Sequence, residues 1–287
     1  MTEPASCLRP VEPYPALLLE NLSEKVLVVA DLHIGWEASL AQKGIHVPSQ
    51  TSKLLEKMTQ LIKATHPSSI IFLGDVKHTV RKVELEEWRD VPNFFEKISG
   101  MVQDIQVVSG NHDGNLEALT TPNVKIHSSS GTTLWKKIAL LHGHAWPKAD
   151  LLGCETMVMA HLHPVVTFTD ELGFRMMRQV WVKARSKSRI LASALLKYMK
   201  IQSQRKAEEQ VKNKFGVNPV DQQCIVMPSF NENLGGRSVN RRIEYGRKGR
   251  TLIGPVLRSS AIDFESAELH LLDGTYLGTV RHLQSLR

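Results

Sequence analysis

The sequence predicts an α/β fold, and three observations lead to this prediction. The chain has 287 residues, which is enough for a full hydrophobic core. Short apolar runs rich in β-branched residues recur along it, and segments with apolar residues at helical spacing separate the first three runs, over about 49–63 and 83–98. Five of the runs are predicted buried strands: 26–30, 70–73, 105–108, 138–141 and 156–159.

The first two of these strands each end in candidate metal ligands. The first continues into DLHIG, where Asp31 and His33 lie two residues apart and face the same side if the segment is extended. A D-x-H pair is not specific by itself. The second strand continues into GDVKH, where Gly74 lets the backbone turn and the carboxylate of Asp75 can offer one oxygen to each of two metal ions. Asp75 is therefore the predicted bridging ligand.

The third strand ends in GNHD, a more specific motif. Asn111 offers a neutral carbonyl oxygen to a metal ion, and His112 can lend a proton to a leaving group. The carboxylate of Asp113 can fix the tautomer of that imidazole and raise its basicity. The motif therefore predicts both a ligand and a catalytic acid.

The fourth and fifth strands end in histidine motifs. In HGH, His142 is the candidate ligand and His144 is expected to line the pocket, although the two could exchange roles. In AHLHP, His161 and His163 are again two apart and are expected to face one way in an extended segment. Ligand residues at the carboxyl ends of five strands converge on one edge of a sheet, which is where open α/β folds build their sites. The sequence therefore predicts one metal centre.

Charge is segregated along the chain. The net charge is +7, and the basic residues concentrate in 183–214, with ten Lys or Arg against two Glu, and in 237–250, with six against one. Residues at about 185–216 are predicted to form a basic helical insertion that projects from the core. Such a field attracts polyanions, which favours a DNA or RNA partner bound through the basic C-terminal third, although two solvated faces are the alternative.

Other features narrow the class of protein. The three cysteines form no C-x-x-C, which favours a reducing, intracellular setting. The chain has neither a signal pattern nor an apolar run long enough to span a membrane, so we expect a cytoplasmic protein without a membrane partner. Further strands are expected at 165–168, 174–182 and 224–228, and a hairpin at 267–283 with a type I′ turn at Asp273-Gly274.

Taken together, D-x-H, G-D, G-N-H-D, H and H-x-H resemble the calcineurin-like metallophosphoesterase superfamily. DLHIG, GDVKH and the later PSFN with GG are similar to the small archaeal and bacterial group that includes ligase-associated phosphodiesterases. The resemblance implies a four-layer α/β/β/α sandwich of two mixed sheets, the metallophosphatase fold, in a single domain over 1–287. The chain departs from the superfamily at Ala160, where Gly is usual, and at Lys77 and His78, where many members carry an acidic residue.

The resemblance also implies a role for each site residue. One metal would be bound by Asp31, His33, Asp75 and His163, and the other by Asp75, Asn111, His142 and His161. His112 would be the acid, oriented by Asp113, while His78 and His144 could contact substrate. This mixture of imidazole, carboxylate and amide ligands suits two divalent ions such as Mn, Fe, Zn or Ni, and the resemblance favours Mn.

Three functions are consistent with these residues. The first is a phosphodiesterase acting on nucleic acid or nucleotides by attack of a metal-bridging hydroxide, with His112 as the acid. The second is a phosphomonoesterase or nucleotidase that uses the same metal pair. The third is a catalytically silent nucleic-acid-binding protein. The intact ligand set and the presence of His112 favour an enzyme.

Overall fold

The computed structural model describes residues 7–81, 83–202, 206–241 and 252–286. The chain divides into two compact units. The first comprises the described residues up to Ser128 together with Ser229–Leu234, and the second comprises Ser129–Pro228 together with the described residues from Gly235 onward. Each unit contains one mixed sheet with its own helices and its own apolar core. The predicted α/β class with two mixed sheets, as in the metallophosphatase fold, is confirmed.

The first unit has a six-stranded sheet in which the strands follow chain order. Its strands are β1 (Cys7–Pro10), β2 (Ala16–Glu20), β3 (Lys25–Val29), β4 (Ser69–Phe72), β5 (Asp104–Val108) and β6 (Val124–His127). The pairs β1·β2 and β2·β3 are antiparallel, and the pairs from β3 to β6 are parallel. The carboxyl ends of β3, β4 and β5 therefore meet at one edge of this sheet. The expectation that all five motif strands end at one edge of one sheet was wrong, because strands 138–141 and 156–159 belong to the other sheet.

Three helices belong to this unit: α1 (Trp36–Ala41), α2 (Thr51–Thr65) and α3 (Leu85–Ser99). Helix α2 buries one apolar face and ends at His66, which is in the left-handed conformation before Pro67. Helix α3 places Phe94 and Phe95 against Phe72 of β4, with ring centroids 5.8 and 5.6 Å apart. Trp88 on the same helix is half exposed.

The second unit contains a larger sheet. Its strands are β7 (Thr132–Leu134), β8 (Ile138–Leu141), β9 (Thr156–Met159), β10 (Pro164–Thr169), β11 (Arg175–Arg185), β12 (Gln223–Val226), β13 (Arg237–Ser238), β14 (Glu268–Leu271) and β15 (Tyr276–Thr279). Its main path is β13-β10-β11-β12-β9-β8-β7, and β14 pairs with β11 and β15. Strands β8, β9 and β12 are parallel, so the histidine motifs that follow β8 and β9 lie at one edge.

The predicted basic segment forms two helices, α4 (Ser188–Tyr198) and α5 (Ala207–Phe215). That they form an insertion stays a prediction. Leu191 and Leu195 of α4 and Val211 of α5 are buried in the core of the second unit, because apolar residues at helical spacing give each helix one face to dock. The basic side chains of these helices therefore lie on the faces that point away from the core. The other basic segment, 237–250, lies mostly outside the described residues.

The end of the chain differs from the prediction in two ways. The hairpin of β14 and β15 is present, but residues from Val280 form a helix, α7 (Val280–Ser285), after the short α6 (Pro255–Arg258). The side chain of Thr279 accepts a hydrogen bond from the backbone N–H of His282, so it caps α7. Among the described turn residues only Gly274 has a positive φ, 82°, whereas a type I′ turn requires one at Asp273 as well.

The helices and cysteines bear on the environment that the protein occupies. None of the described helices is long and apolar enough to cross a membrane. Cys7 is exposed, while Cys154 and Cys224 are buried in the second unit. Burial raises the pKa of the Cys154 thiol to about 11 and that of Cys224 to about 12, so both stay protonated at neutral pH.

Candidate metal centre

In the first unit, the loops that follow β3 and β4 run side by side. The backbone N–H of Asp31 donates to the carbonyl oxygen of Gly74 at 3.0 Å, and that of His33 donates to the carbonyl oxygen of Asp75 at 2.9 Å. Ile34 continues the ladder to Val76 at 2.8 Å. The hydrogen bonds fix the two loops against each other, so the relative positions of Asp31, His33 and Asp75 are set by the backbone.

These loops are not extended, contrary to the expectation for D-x-H. Asp31, His33 and Asp75 have φ of 57°, 46° and 52°, which is the left-handed region that residues other than Gly seldom adopt. Each such residue costs about 1–2 kcal/mol. Leu32, between the first two, is fully buried and anchors the turn in the core. Backbone strain of this kind concentrates at functional sites, where surrounding structure maintains it.

The carboxylate of Asp113 holds the loop after β5 against the loop that carries Asp75. One oxygen accepts the backbone N–H groups of Asp75 and Gly110, both at 2.8 Å. The other accepts that of Val76 at 2.8 Å and that of Lys77 at 3.4 Å. These bonds run to backbone amides, so Asp113 positions Asp75, and its expected role in orienting the His112 ring stays a prediction.

Asp75 and the imidazoles of His33 and His112 form the centre of this cluster. Oδ2 of Asp75 lies 3.4 Å from Nε2 of His33 and 3.9 Å from Nε2 of His112, and Oδ1 accepts the backbone N–H of His112 at 2.9 Å. Nδ1 of His112 contacts the carbonyl oxygen of His78. That oxygen can only accept, so the proton of this bond is on Nδ1, and Nε2 is the nitrogen left to exchange a proton with a ligand.

His78, a predicted substrate contact, joins the same cluster. Its Nδ1 lies 3.2 Å from Nδ1 of His33, and its ring stacks on that of His112 at a centroid distance of 5.6 Å. Burial, and then the neighbouring His112, lower the pKa of His78. The buried carboxylate of Glu87 accepts the backbone N–H groups of His78 at 2.9 Å and Thr79 at 2.7 Å. Glu87 therefore positions His78, a role the sequence did not reveal.

The Asn-rich loop 229–234 also belongs to this site. It contacts the turn that follows β3. The backbone N–H of Phe230 donates to Ala30 at 2.7 Å, and the side-chain amide of Asn231 donates to the carbonyl oxygen of Leu32 at 2.9 Å. Asn231 is buried, so it braces the turn that presents Asp31 and His33.

The second unit presents a histidine cluster of its own. The ring centroids of His142 and His161 are 4.9 Å apart, and His144 lies 5.2 Å from His142 and 5.9 Å from His161. His161 and His163 are left-handed, with φ of 67° and 48°, so this H-x-H is not extended either. The buried Leu162 between them repeats the pattern of D-L-H.

Two glycines let other segments approach these histidines. A β-carbon on Gly236, the second residue of the GG pair, would overlap the carbonyl oxygen of His163 and lie 2.5 Å from a methyl group of Val165. A β-carbon on Gly254 would overlap the carbonyl oxygen of Gly143, in the HGH loop. The backbone at these positions therefore tolerates only glycine.

The donor atoms fit divalent metal ions. His33, His78 and His112 have ligand atoms within 4.8 Å of one another, which is the spacing that a single ion requires. The side-chain oxygen of Asn111 is buried and accepts no hydrogen bond from any residue that the structure describes. A buried amide oxygen of this kind requires a ligand, and a cation provides one. Imidazole, carboxylate and amide donors together suit first-row metals better than Ca²⁺.

Comparison with known proteins identifies the class. The profile of the calcineurin-like phosphoesterases matches residues 24–190, more than half of the chain. The chain is similar to the crystal structure of Pseudomonas putida nuclease MPE, with 18% identity, a TM-score of 0.48, and coverage of 93% of this chain and 98% of that one. It is also similar to Yfce, a phosphoesterase from E. coli, with 20% identity, a TM-score of 0.33, and coverage of 50% and 73%. No curated protein sequence matches.

The profile spans every motif from DLHIG to AHLHP. The chain therefore belongs to the calcineurin-like phosphoesterase family. It is accordingly a metal-dependent phosphoesterase, as the five motifs predicted.

Proposed function

We propose that the protein is a binuclear-metal phosphodiesterase that hydrolyses nucleic acid or nucleotides. The observation that carries the proposal is the cluster of the buried Asp75 and His33 with the half-buried His112. Family membership supports it independently. We further propose the ligand sets that the motif order implies, with Asp31, His33, Asp75 and His163 on one ion, and Asp75, Asn111, His142 and His161 on the other.

The metals are proposed as two divalent ions, with Mn favoured and Fe, Zn or Ni as alternatives. When bound, such ions supply Lewis-acid activation of water and neutralise charge on the phosphoryl group. The chain supplies the geometry, because hydrogen bonds between the loops and the left-handed backbone at Asp31, His33 and Asp75 fix the donors before any ion arrives. Such preorganisation removes the cost of ordering the ligands.

His112 is the proposed acid. Its Nδ1 is committed to the carbonyl oxygen of His78, which leaves Nε2 to donate a proton to the departing oxygen. Oδ2 of the Asp75 carboxylate lies 3.9 Å from this Nε2. His78 and His144 remain proposed substrate contacts, and a cytoplasmic location remains a proposal from the sequence.

The proposal predicts that small diesters are hydrolysed faster than monoesters. We expect turnover of bis-p-nitrophenyl phosphate to exceed that of p-nitrophenyl phosphate, to stop after treatment with a chelator, and to return with Mn²⁺. Absorbance of released p-nitrophenol, measured across Mn, Fe, Zn, Ni and Mg, tests this. Activity on the monoester alone would favour a phosphomonoesterase or nucleotidase, and absence of turnover with every ion would favour a silent nucleic-acid-binding protein.

The acid role of His112 predicts an effect that depends on the leaving group. In His112→Ala, cleavage of a dinucleotide, which expels a poor alkoxide leaving group, should slow by about 100-fold or more. Cleavage of bis-p-nitrophenyl phosphate should slow much less, because p-nitrophenolate leaves without a proton. Steady-state rates on both substrates, with bound metal measured for each protein, provide the test. Equal losses on both substrates at unchanged metal content would contradict the acid role.

A further inference from the structure

A large groove in the second unit has no role in the chemistry described above. Its volume is about 1200 Å³, above the roughly 300–1000 Å³ that is usual for small-molecule pockets. We call it the aromatic groove, and the residues that matter here are Trp146, Lys187, Arg189, Lys197, Tyr198 and Arg258. They come from α4, α6 and the segment after the HGH motif.

The aromatic groove continues towards two candidate site histidines. A second cavity of about 610 Å³ shares Trp146, Tyr198 and Arg258 with it. The second cavity is also lined by His144 and His161. A ligand that occupies both cavities would therefore pass from the proposed metal ligand His161 to the surface of α4.

The charge of this path is of one sign. Arg189, Lys197 and Arg258 are exposed in the groove, and among the residues that the structure describes no carboxylate lines either cavity. None of these three cations forms a salt bridge with a residue in the described part of the chain. A row of uncompensated cations beside a phosphoesterase centre is suited to a polyanion.

An aromatic pair in the groove adds a surface on which a planar group can stack. The rings of Trp146 and Tyr198 are stacked, with centroids 5.5 Å apart and planes at 24°. Trp146 packs against the core, whereas Tyr198 is 59% exposed. The indole therefore supports the Tyr198 ring from one side, and the other side of the ring can accept a flat partner. Cations that follow phosphates and an aromatic face that stacks a base are the combination used to bind single strands.

We infer that the aromatic groove binds a single-stranded polynucleotide, with a base stacked on Tyr198 and phosphates near Arg189, Lys197 and Arg258. In a duplex the faces of each base are covered by neighbouring bases, so an aromatic side chain stacks only on an unpaired or terminal base. The inference rests on the proposed function, because it assigns that site a substrate class. It also assigns a role to part of the basic surface that the sequence indicated.

The test measures binding without catalysis. Fluorescence anisotropy of labelled single-stranded DNA, single-stranded RNA and blunt duplex DNA is recorded with the full chain in chelator at low salt. We expect one or both single strands to bind at least about 10-fold more tightly than the duplex. Tyr198→Ala should weaken single-strand binding about 10-fold, whereas Tyr276→Ala, an equally exposed tyrosine on β15 outside the groove, should not.

The salt dependence of binding provides a second, independent test of the inference. The double variant Arg189→Gln, Lys197→Gln should lower the slope of log affinity against log salt by about 1.4, since single strands release about 0.7 ion per contacted phosphate. The matched control is Lys212→Gln, Lys214→Gln on α5, which removes two exposed lysines that do not line the groove. Equal effects of the two double variants would overturn the inference, as would tighter binding of duplex or an unchanged affinity of Tyr198→Ala.

Failure here is distinct from failure of the proposed function. If the wild-type protein hydrolyses bis-p-nitrophenyl phosphate but binds no single strand in chelator, the groove has another role and the phosphodiesterase proposal stands. If it binds single strands through Tyr198 but hydrolyses no diester with any metal, the groove inference stands and the chemistry does not.

Discussion

Gly110→Ala is expected to abolish diester hydrolysis, with a loss of at least about 1000-fold, because it displaces Asp75. A β-carbon at this position would overlap Oδ1 and the backbone nitrogen of Asp75 and would lie 2.9 Å from its Cγ. Gly110 does not have a left-handed φ, so the substitution tests space alone. The overlapping atoms include backbone, which cannot rotate away as a flexible side chain would. The proposed bridging carboxylate must therefore move.

The measurement combines turnover of bis-p-nitrophenyl phosphate with bound metal determined by elemental analysis. Gly114→Ala is the matched control, since it lies four residues away in the same loop, and a β-carbon there would meet only the carbonyl oxygen of Val80, at an ordinary 3.5 Å. We expect the control to keep its metal and most of its activity. Full metal content and activity in Gly110→Ala would show that Asp75 is not a shared ligand.

Much of the fold could be predicted because its central strands are strongly apolar. The predicted strands 138–141 and 156–159 match β8 and β9 to the residue, since both are fully buried and pair in parallel with each other in the interior of the sheet. The short edge strands β1, β6, β7 and β13 were missed. They are partly exposed, so they carry no continuous apolar run, and only pairing with a neighbour defines them.

The identity of the site residues was predictable, but their conformation was not. A ligand-type residue at the end of a buried strand is visible in one sequence, and in the first unit this placed Asp31, His33, Asp75 and Asn111 at one sheet edge. The left-handed backbone was not visible, because Asp and His adopt it only where neighbours enforce it. Here the buried Leu32 and the hydrogen bonds to Gly74 and Asp75 do so.

Two residues that support the site were harder to find, each for its own reason. Asn231 donates a hydrogen bond to Leu32, which lies about 200 residues away in the sequence. Glu87, in the first turn of α3, accepts the backbone N–H of His78. The PSFN motif was a usable signal for Asn231, since Asn in a loop after a strand can satisfy exposed backbone carbonyls. Glu87 had the signature of a helix-capping residue, which concealed its second role.

Asp113→Asn should destabilise the first unit by about 3 kcal/mol, since two hydrogen bonds to a charged acceptor are each worth about 1.5–3 kcal/mol. The amide nitrogen that replaces one carboxylate oxygen would face two backbone N–H groups, either those of Asp75 and Gly110 or those of Val76 and Lys77. Rotation of the side chain only exchanges one unfavourable pair for the other. Because the total stability of a domain is about 5–15 kcal/mol, this loss is large.

Urea unfolding followed by circular dichroism measures the change, with Asp104→Asn as the control. Asp104 is exposed on β5 and bonds only the side chain of Gln106 among the described residues, at 3.2 Å, so we expect its substitution to change stability by less than about 0.5 kcal/mol. An Asp113→Asn midpoint equal to that of the wild type would mean that the ladder between Asp31, His33 and Asp75 holds the two loops without help. A loss of stability together with a loss of metal would instead support the role that its contacts indicate, in which Asp113 positions Asp75 through the backbone.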